Sequence, residues 1–353
     1  MGGKNSHGNI VIEIENASLE SGGEINGTLH LLINKPHLSS TLILGFKGKE
    51  ETHWNEVHTE SSEGKYSSVT SSDNCEGKFS ICDFEYPIYS WDNEIQPGGY
   101  SQPFTFRLPD NLPGTFHFDK YSVKASIQYW LKAKLVTNQK KKIKNKIPIH
   151  IRQSISNFHT SISLKKHISM KSMGCINRGI CKLGVTFLQE SYNPEDIGIL
   201  MIEVDNSKSK LTIKQITCTF SFCLRLKSGG GKVTVIKENL LVEHVYVKIP
   251  PGAVLFNESA IEIKLNLPSK IDFIQNMYTT RGNFIDCMYL SEVVANMSGL
   301  CTTKESPAAE STMNIIPKEA IKPGPIPNPP ADWNPTILEN VNIQYDLQFE
   351  STI

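Results

Sequence analysis

Between residues 123 and 135 the chain alternates without a break. Val123, Ala125, Ile127, Tyr129, Leu131, Ala133 and Leu135 are apolar or aromatic, and Lys124, Gln128, Lys132 and Lys134 fall between them. Successive side chains of a strand point to opposite faces, so this period of two predicts a long β-strand with one face buried. The residues before it fit the same picture. Phe104, Phe106 and Leu108 share one face of a shorter strand, and Pro109 and Pro113 bracket a turn because neither can donate to a β-ladder. Together the two segments imply a β-sandwich and no enzyme.

A chain of 353 residues exceeds one ordinary sandwich and suits two domains of about 150 residues each. Its 36 basic and 36 acidic residues cancel, so the overall charge gives no reason to expect nucleic acid as a partner. Any electrostatic contact must be local. Residues 1–7 lack the apolar core of a secretory signal, and no run approaches the roughly 20 apolar residues that cross a bilayer as a helix. The expectation is an intracellular, cytoplasmic protein whose eight cysteines are thiols.

Along the chain, Ile10, Ile12 and Ile14 alternate with other positions, Gly22-Gly23 supplies a turn, and Ile25, Leu29, Leu31 and Ile33 alternate again. That predicts two strands. Residues 42–47 predict another, and 61–77 read as a polar loop. Residues 147–151 are a last strand or a crossing between domains, after which a second set of strands begins, with members at 198–204 and 261–267. Almost nothing reads as a helix of three turns, which excludes βαβ folds. Six prolines between Lys322 and Pro335 predict an extended linker. Beyond it Val341, Ile343, Tyr345, Leu347 and Phe349 alternate with Asn342, Gln344, Asp346 and Gln348, an amphipathic strand on a semi-rigid tether.

Several segments share a family's wording. Gly98-Gly99-Tyr100, then Pro103-Phe104-x-Phe106-x-Leu108-Pro109 and Leu112-Pro113-Gly114-x-Phe116, resembles the end of the arrestin N domain. Gly22-Gly23-Glu24-Ile25-Asn26-Gly27 is similar to the opening of that domain. Tyr192-Asn193-Pro194-Glu195-Asp196 with Asp205-Asn206-Ser207 resembles the opening of the arrestin C domain, with Glu-Asp where Gly-Glu is usual. Pro250-Pro251-Gly252, the stretch from Tyr278 to Ile285, and Ile315-Ile316-Pro317 follow in the family's order.

The resemblance implies an all-β chain of two tandem antiparallel β-sandwiches: a flexible start at 1–9, an N-like sandwich at 10–153, a C-like sandwich at 154–320, and a Pro-rich linker with tail strand at 321–353. It also implies a non-enzymatic adaptor, without cofactor or metal, that binds cytoplasmic segments of membrane cargo and couples them to sorting or endocytosis at the plasma or endosomal membrane. Trafficking or ubiquitin machinery would be further partners. No Pro-Pro-x-Tyr motif is present, since Pro329-Pro330-Ala331-Asp332 is not one. Glu13 and Glu15 lie in the first strand, which the lysine pair of phosphate-sensing arrestins does not follow. A retrieval subunit like the arrestin-like component of retromer is the alternative.

Three sets of residues are candidates for function. Met1-Gly2 with Ser6 fits N-myristoylation at Gly2, and one acyl chain binds membranes only marginally. Lys140, Lys141, Lys142, Lys144 and Lys146 offer a second attachment to an anionic surface, or else a solvated hairpin tip. The tail strand Val341, Ile343, Tyr345, Leu347 and Phe349 is the third. Fourteen linker residues in an extended conformation reach about 43 Å, enough to add the tail to an edge of the first sandwich, while a local strand on the second is the other option. Cys175/Cys181 and Cys218/Cys223 are spaced poorly for zinc and read as buried thiols. The stretch from Ser228 to Lys232 reads as a hairpin turn rather than a phosphate loop, and no catalytic constellation is found.

Overall fold

The alternating segment is one strand, Val123–Thr137, in which Ala125, Ile127, Tyr129, Leu131, Ala133 and Leu135 are each at most 2% exposed. The computed structural model around it describes residues 7–15, 19–61, 68–137, 142–154, 166–172, 176–298, 306–317 and 334–344. Eight strands build the first half: β1 (Gly8–Ile14), β2 (Glu24–Ile33), β3 (Ser40–Ser61), β4 (Ser68–Trp91), β5 (Gly98–Arg107), β6 (Phe116–Lys120), β7 (Val123–Thr137) and β8 (Lys142–Ile149). They form one sheet ordered β1-β2-β5 and another ordered β4-β3-β7, with β6 and β8 both pairing β7. Inward residues of both sheets meet in the core. Phe46 of β3 stacks on Tyr129 at 5.8 Å between centroids and meets Phe106 of the facing sheet at 5.5 Å. Each such fully buried side chain contributes about 1.5–3 kcal/mol.

The second half repeats the plan with β9 (Lys166–Ser172), β10 (Ile176–Phe187), β11 (Ser191–Tyr192), β12 (Ile197–Ser209), β13 (Ile213–Lys227), β14 (Val233–Ile249), β15 (Val254–Leu255), β16 (Ile261–Asn266), β17 (Thr280–Arg281), β18 (Ile285–Met297) and β19 (Ala308–Ile315). One sheet runs β9-β10-β12 with β15 and β16 on β12. The other runs β11-β19-β18-β13-β14 with β17 on β18. The α-helix among the described residues is a single turn, α1 (Ile271–Ile274). Two tail strands, β20 (Thr336–Ile337) and β21 (Val341–Ile343), return to the first half and join β5. The fold is all-β and built of antiparallel sandwiches, as the alternation implied.

One expectation is corrected. Residues 61–77 were expected to form a polar loop, yet β3 and β4 stay paired from Ser40 opposite Trp91 out to Ser61 opposite Ser68. Main-chain pairing needs no apolar side chain. Residues 62–67 lie outside the described residues, and Thr52, Glu56, Asp73 and Glu76 of this hairpin bond Lys227, Lys232 and Gly229 of the second sandwich.

Candidate functional site

Strand β5 pairs with β2 on one side, from Glu24 opposite Arg107 to Ile33 opposite Gly98. Its other side is a free edge of the kind to which an extended segment adds. The tail fills it. β20 runs parallel to β5 with Thr336 opposite Tyr100 and Ile337 opposite Ser101. β21 continues with Val341, Asn342 and Ile343 opposite Phe104, Thr105 and Phe106. The break between them has a chemical cause, because Pro103 has no N–H to give. Across that point the tail uses one residue more than β5, a local bulge. The buried Gln102 side chain fills the gap by donating through Nε2 to the Glu339 carbonyl, and the Leu338 N–H donates to the Ser101 carbonyl at 2.9 Å. Ile343 is buried in the core and Val341 packs against it. Tyr345, Leu347 and Phe349 lie outside the described residues.

The lysine run divides. Lys140, Lys141 and the side chain of Lys142 lie outside the described residues, as does Gly2. Lys144 and Lys146 are exposed on β8, in register with Lys134 and Lys132 of β7. The β7 pair has carboxylates nearby: Lys134 bonds Glu85, and Lys132 reaches Asp83 at 3.3 Å beside Lys47. Burial opposes ionisation of Asp83, but the Lys47 and Lys132 ammonium groups outweigh it and hold its carboxyl below the usual range.

A third arrangement was missed in the sequence. On β3 the inward phase runs Leu42, Leu44, Phe46, Gly48 and then Glu50, which is 0% exposed. A carboxylate on the buried phase is the signal that marks it. Glu50 Oε2 accepts the Asn283 N–H at 2.9 Å, and Oε1 accepts the Phe284 and Ile285 N–H groups at 2.9 and 2.6 Å. Three consecutive main-chain donors make a cradle for an anion, and the first sandwich supplies one to the second. A Cβ at Gly282 would sit 2.4 Å from Glu50 Oε1, so a larger residue there must displace the carboxylate. Burial raises the Glu50 pKa, and the three N–H bonds and Lys227 oppose the rise.

Other contacts flank this hook. Thr52 Oγ1 donates to the Lys227 carbonyl at 2.7 Å, and Gln153 Oε1 accepts from Thr280 Oγ1 at 3.1 Å and from the Arg281 N–H at 2.8 Å. Phe118 stacks on Phe222. The stretch from Ser228 to Lys232 is a turn between β13 and β14, and Lys232 pairs with Glu56 and Asp73 of the long hairpin.

Cys181, Cys218 and Cys223 are buried thiols, and burial pushes Cys181 and Cys218 up to about 12. Cys175 lies outside the described residues. Among the described residues no three His, Cys, Asp or Glu side chains converge to hold a metal ion, and no helix is long and apolar enough to cross a membrane.

Comparison with known proteins bears on the whole arrangement. Residues 9–156 match the family described as arrestin (or S-antigen), N-terminal domain. Arrestin domain-containing protein A of Dictyostelium discoideum is 26% identical over 232 residues, 62% of this chain and 38% of that protein. Arrestin domain-containing protein 5 of Bos taurus is 27% identical over 124 residues, 34% of this chain and 36% of that protein. The matched stretch thus spans little more than a third of each relative's own length. The family match assigns the first sandwich: residues 9–156 form an arrestin N-terminal domain, and the relatives that the chain resembles carry arrestin-domain names.

Proposed function

We propose that this chain is a non-enzymatic adaptor of membrane-protein traffic in the cytoplasm, which binds extended cytoplasmic segments of cargo at the β5 edge in place of its own tail. The observation that carries the reading is the parallel pairing of residues 336–343 with β5. An edge that accepts one extended segment accepts another with apolar residues at alternate positions, since main-chain bonds supply the affinity and side-chain pockets the choice. The tail then limits access until it is displaced. Sorting or endocytic machinery acts on the captured cargo. The relatives bear arrestin-domain names, which favours this reading over a retrieval subunit.

Acylation at Gly2 and the lysines at 140, 141, 142, 144 and 146 supply peripheral contact with the plasma or endosomal membrane. One acyl chain binds reversibly, and each lysine near an anionic leaflet adds about 1 kcal/mol.

Removing residues 334–353 is expected to raise capture of cytoplasmic-segment peptides from membrane cargo. Unchanged or lower capture by a truncated chain that still melts cooperatively would overturn strand exchange at β5. Gly2→Ala is expected to move the protein into the soluble fraction of cells, and unchanged membrane association sinks the acylation half.

A further inference from the structure

Gln102 lies on the β5 edge strand, opposite the break in the tail, and is 1% exposed. Its Nε2 donates to the Pro103 carbonyl at 2.9 Å and to the Glu339 carbonyl. Among the described residues its Oε1 accepts from no donor and is closed off from solvent. Turning the amide over would only set the oxygen against the two carbonyls. An open edge leaves such a group to water, whereas a docked segment must answer it or bind more weakly. The tail docks without answering it.

The register shows where an answer would come from. Thr336 lies against Tyr100 and Ile337 against Ser101, so Leu338 comes next, against Gln102. The Leu338 N–H is spent on the Ser101 carbonyl, and its side chain has no polar atom. Glu339 and Asn340 are exposed along the bulge. Pairing resumes with Val341, half-buried against Phe104, and Ile343, buried against Phe106. Neighbouring strands run about 4.8 Å apart, so a hydroxyl or carboxamide in the place of Leu338 reaches the Gln102 oxygen. A charged donor there would be desolvated at a cost that offsets the bond.

A competing segment needs such an advantage. The tail is part of the same chain, and a tethered segment acts at an effective concentration of about millimolar. A free segment with the same contacts loses to it.

We propose that Gln102 makes the β5 edge selective. The segments it takes in place of the tail are extended and carry an uncharged donor, a hydroxyl or a carboxamide, at the place of Leu338. Apolar residues follow three and five positions on, at the places of Val341 and Ile343. The proposal rests on strand exchange at β5 as read above and adds the chemistry of what is captured. With leucine at the decisive place the tail is the weaker ligand, and a matched segment displaces it.

Amide hydrogen exchange on the full chain compares Leu338→Thr with Leu338→Val, two side chains of one shape, in the wild type and beside Gln102→Met. The expected result is protection of residues 341–343 about five- to tenfold higher with threonine than with valine in the wild type, and no difference beside Gln102→Met. A synthetic peptide of residues 334–344 with the same two substitutions, bound to a chain lacking residues 334–353, is expected to show the same ratio of affinities. Threonine no better than valine in the wild type, or an equal gain beside Gln102→Met, overturns the role of Gln102. Should Gln102→Met fail to melt cooperatively, the threonine-to-valine ratio in the wild type decides. Captured cargo peptides with neither a hydroxyl nor a carboxamide at that place overturn the selectivity and leave strand exchange standing. Failure of all cargo capture beside a clear threonine preference strikes the cargo reading alone.

Discussion

The sheet containing β4, β3 and β7 carries charge on both faces and treats it in opposite ways. On the inner face one carboxylate, Glu50, is fully buried and meets three main-chain N–H groups of the second sandwich. On the outer face four lysines stand in opposed pairs across β7 and β8, two of them exposed and without a carboxylate among the described residues. A buried charge must be satisfied by the fold itself, because leaving it unpaired costs several kcal/mol. An exposed charge is screened by water, so the fold tolerates frustration there and a partner can relieve it. Glu50 therefore belongs to the architecture that joins the sandwiches, whereas the fold leaves the lysines open to solvent.

The contrast breaks first at Glu50. Glu50→Ala leaves three main-chain donors without this acceptor, the Ile285 N–H among them buried, and is expected to cost about 2–4 kcal/mol in denaturant unfolding, or to split one transition into two. A loss under about 1 kcal/mol would mean that water fills the cradle. Gly282→Ala attacks the same contact from the other side. Its Cβ would sit 2.4 Å from Glu50 Oε1, and a loss of about 1–3 kcal/mol is expected in the same assay.

Glu50→Gln tests the electrostatics alone. The amide keeps an oxygen for Phe284 and Ile285 and turns an NH2 towards the Asn283 N–H, a loss of about 1–2 kcal/mol near neutral pH. The sign of its pH dependence follows from the raised pKa. Native Glu50 holds its proton to higher pH than the unfolded group at about 4.5, so the native state binds more protons over that interval. Wild-type stability relative to Glu50→Gln is then greatest at low pH, falls as pH rises from about 4.5 through the raised value, and is level above it. A difference that grows with pH would mean that the three N–H bonds outweigh burial.

The smallest effect lies on the outer face. Lys144→Gln removes one of two opposed like charges and is expected to stabilise the unliganded chain by a few tenths of a kcal/mol, about 0.3, at low salt. Destabilisation would show that Lys144 packs against the sheet rather than repelling Lys134.

The same contrast explains what the sequence revealed. β1, β2 and β7 were legible because one face is buried and the other is not, which writes a period of two into the residues. The far half of β3 and β4 was not, since main-chain bonds hold it together and leave no apolar mark. Glu50 is visible only as a charge on the inward phase of β3. Its donors are main-chain groups, the nearest in sequence 233 residues away at Asn283, and nothing in their side chains announces them. The tail strand showed its alternation but not its address, which Pro103 and Gln102 help set by breaking the ladder and bridging the break. The lysine run showed its charge, whereas the opposing lysines of β7 emerged only with the register.

The central claim is that the β5 edge is a docking strand held by the chain's own tail. Amide hydrogen exchange on the full chain tests it most directly, with and without a saturating cargo peptide selected by capture on the tail-deleted form. The account predicts that the peptide deprotects residues 336–343 while residues 100–106 stay protected, because one strand replaces another. Bound peptide with tail protection unchanged would contradict it.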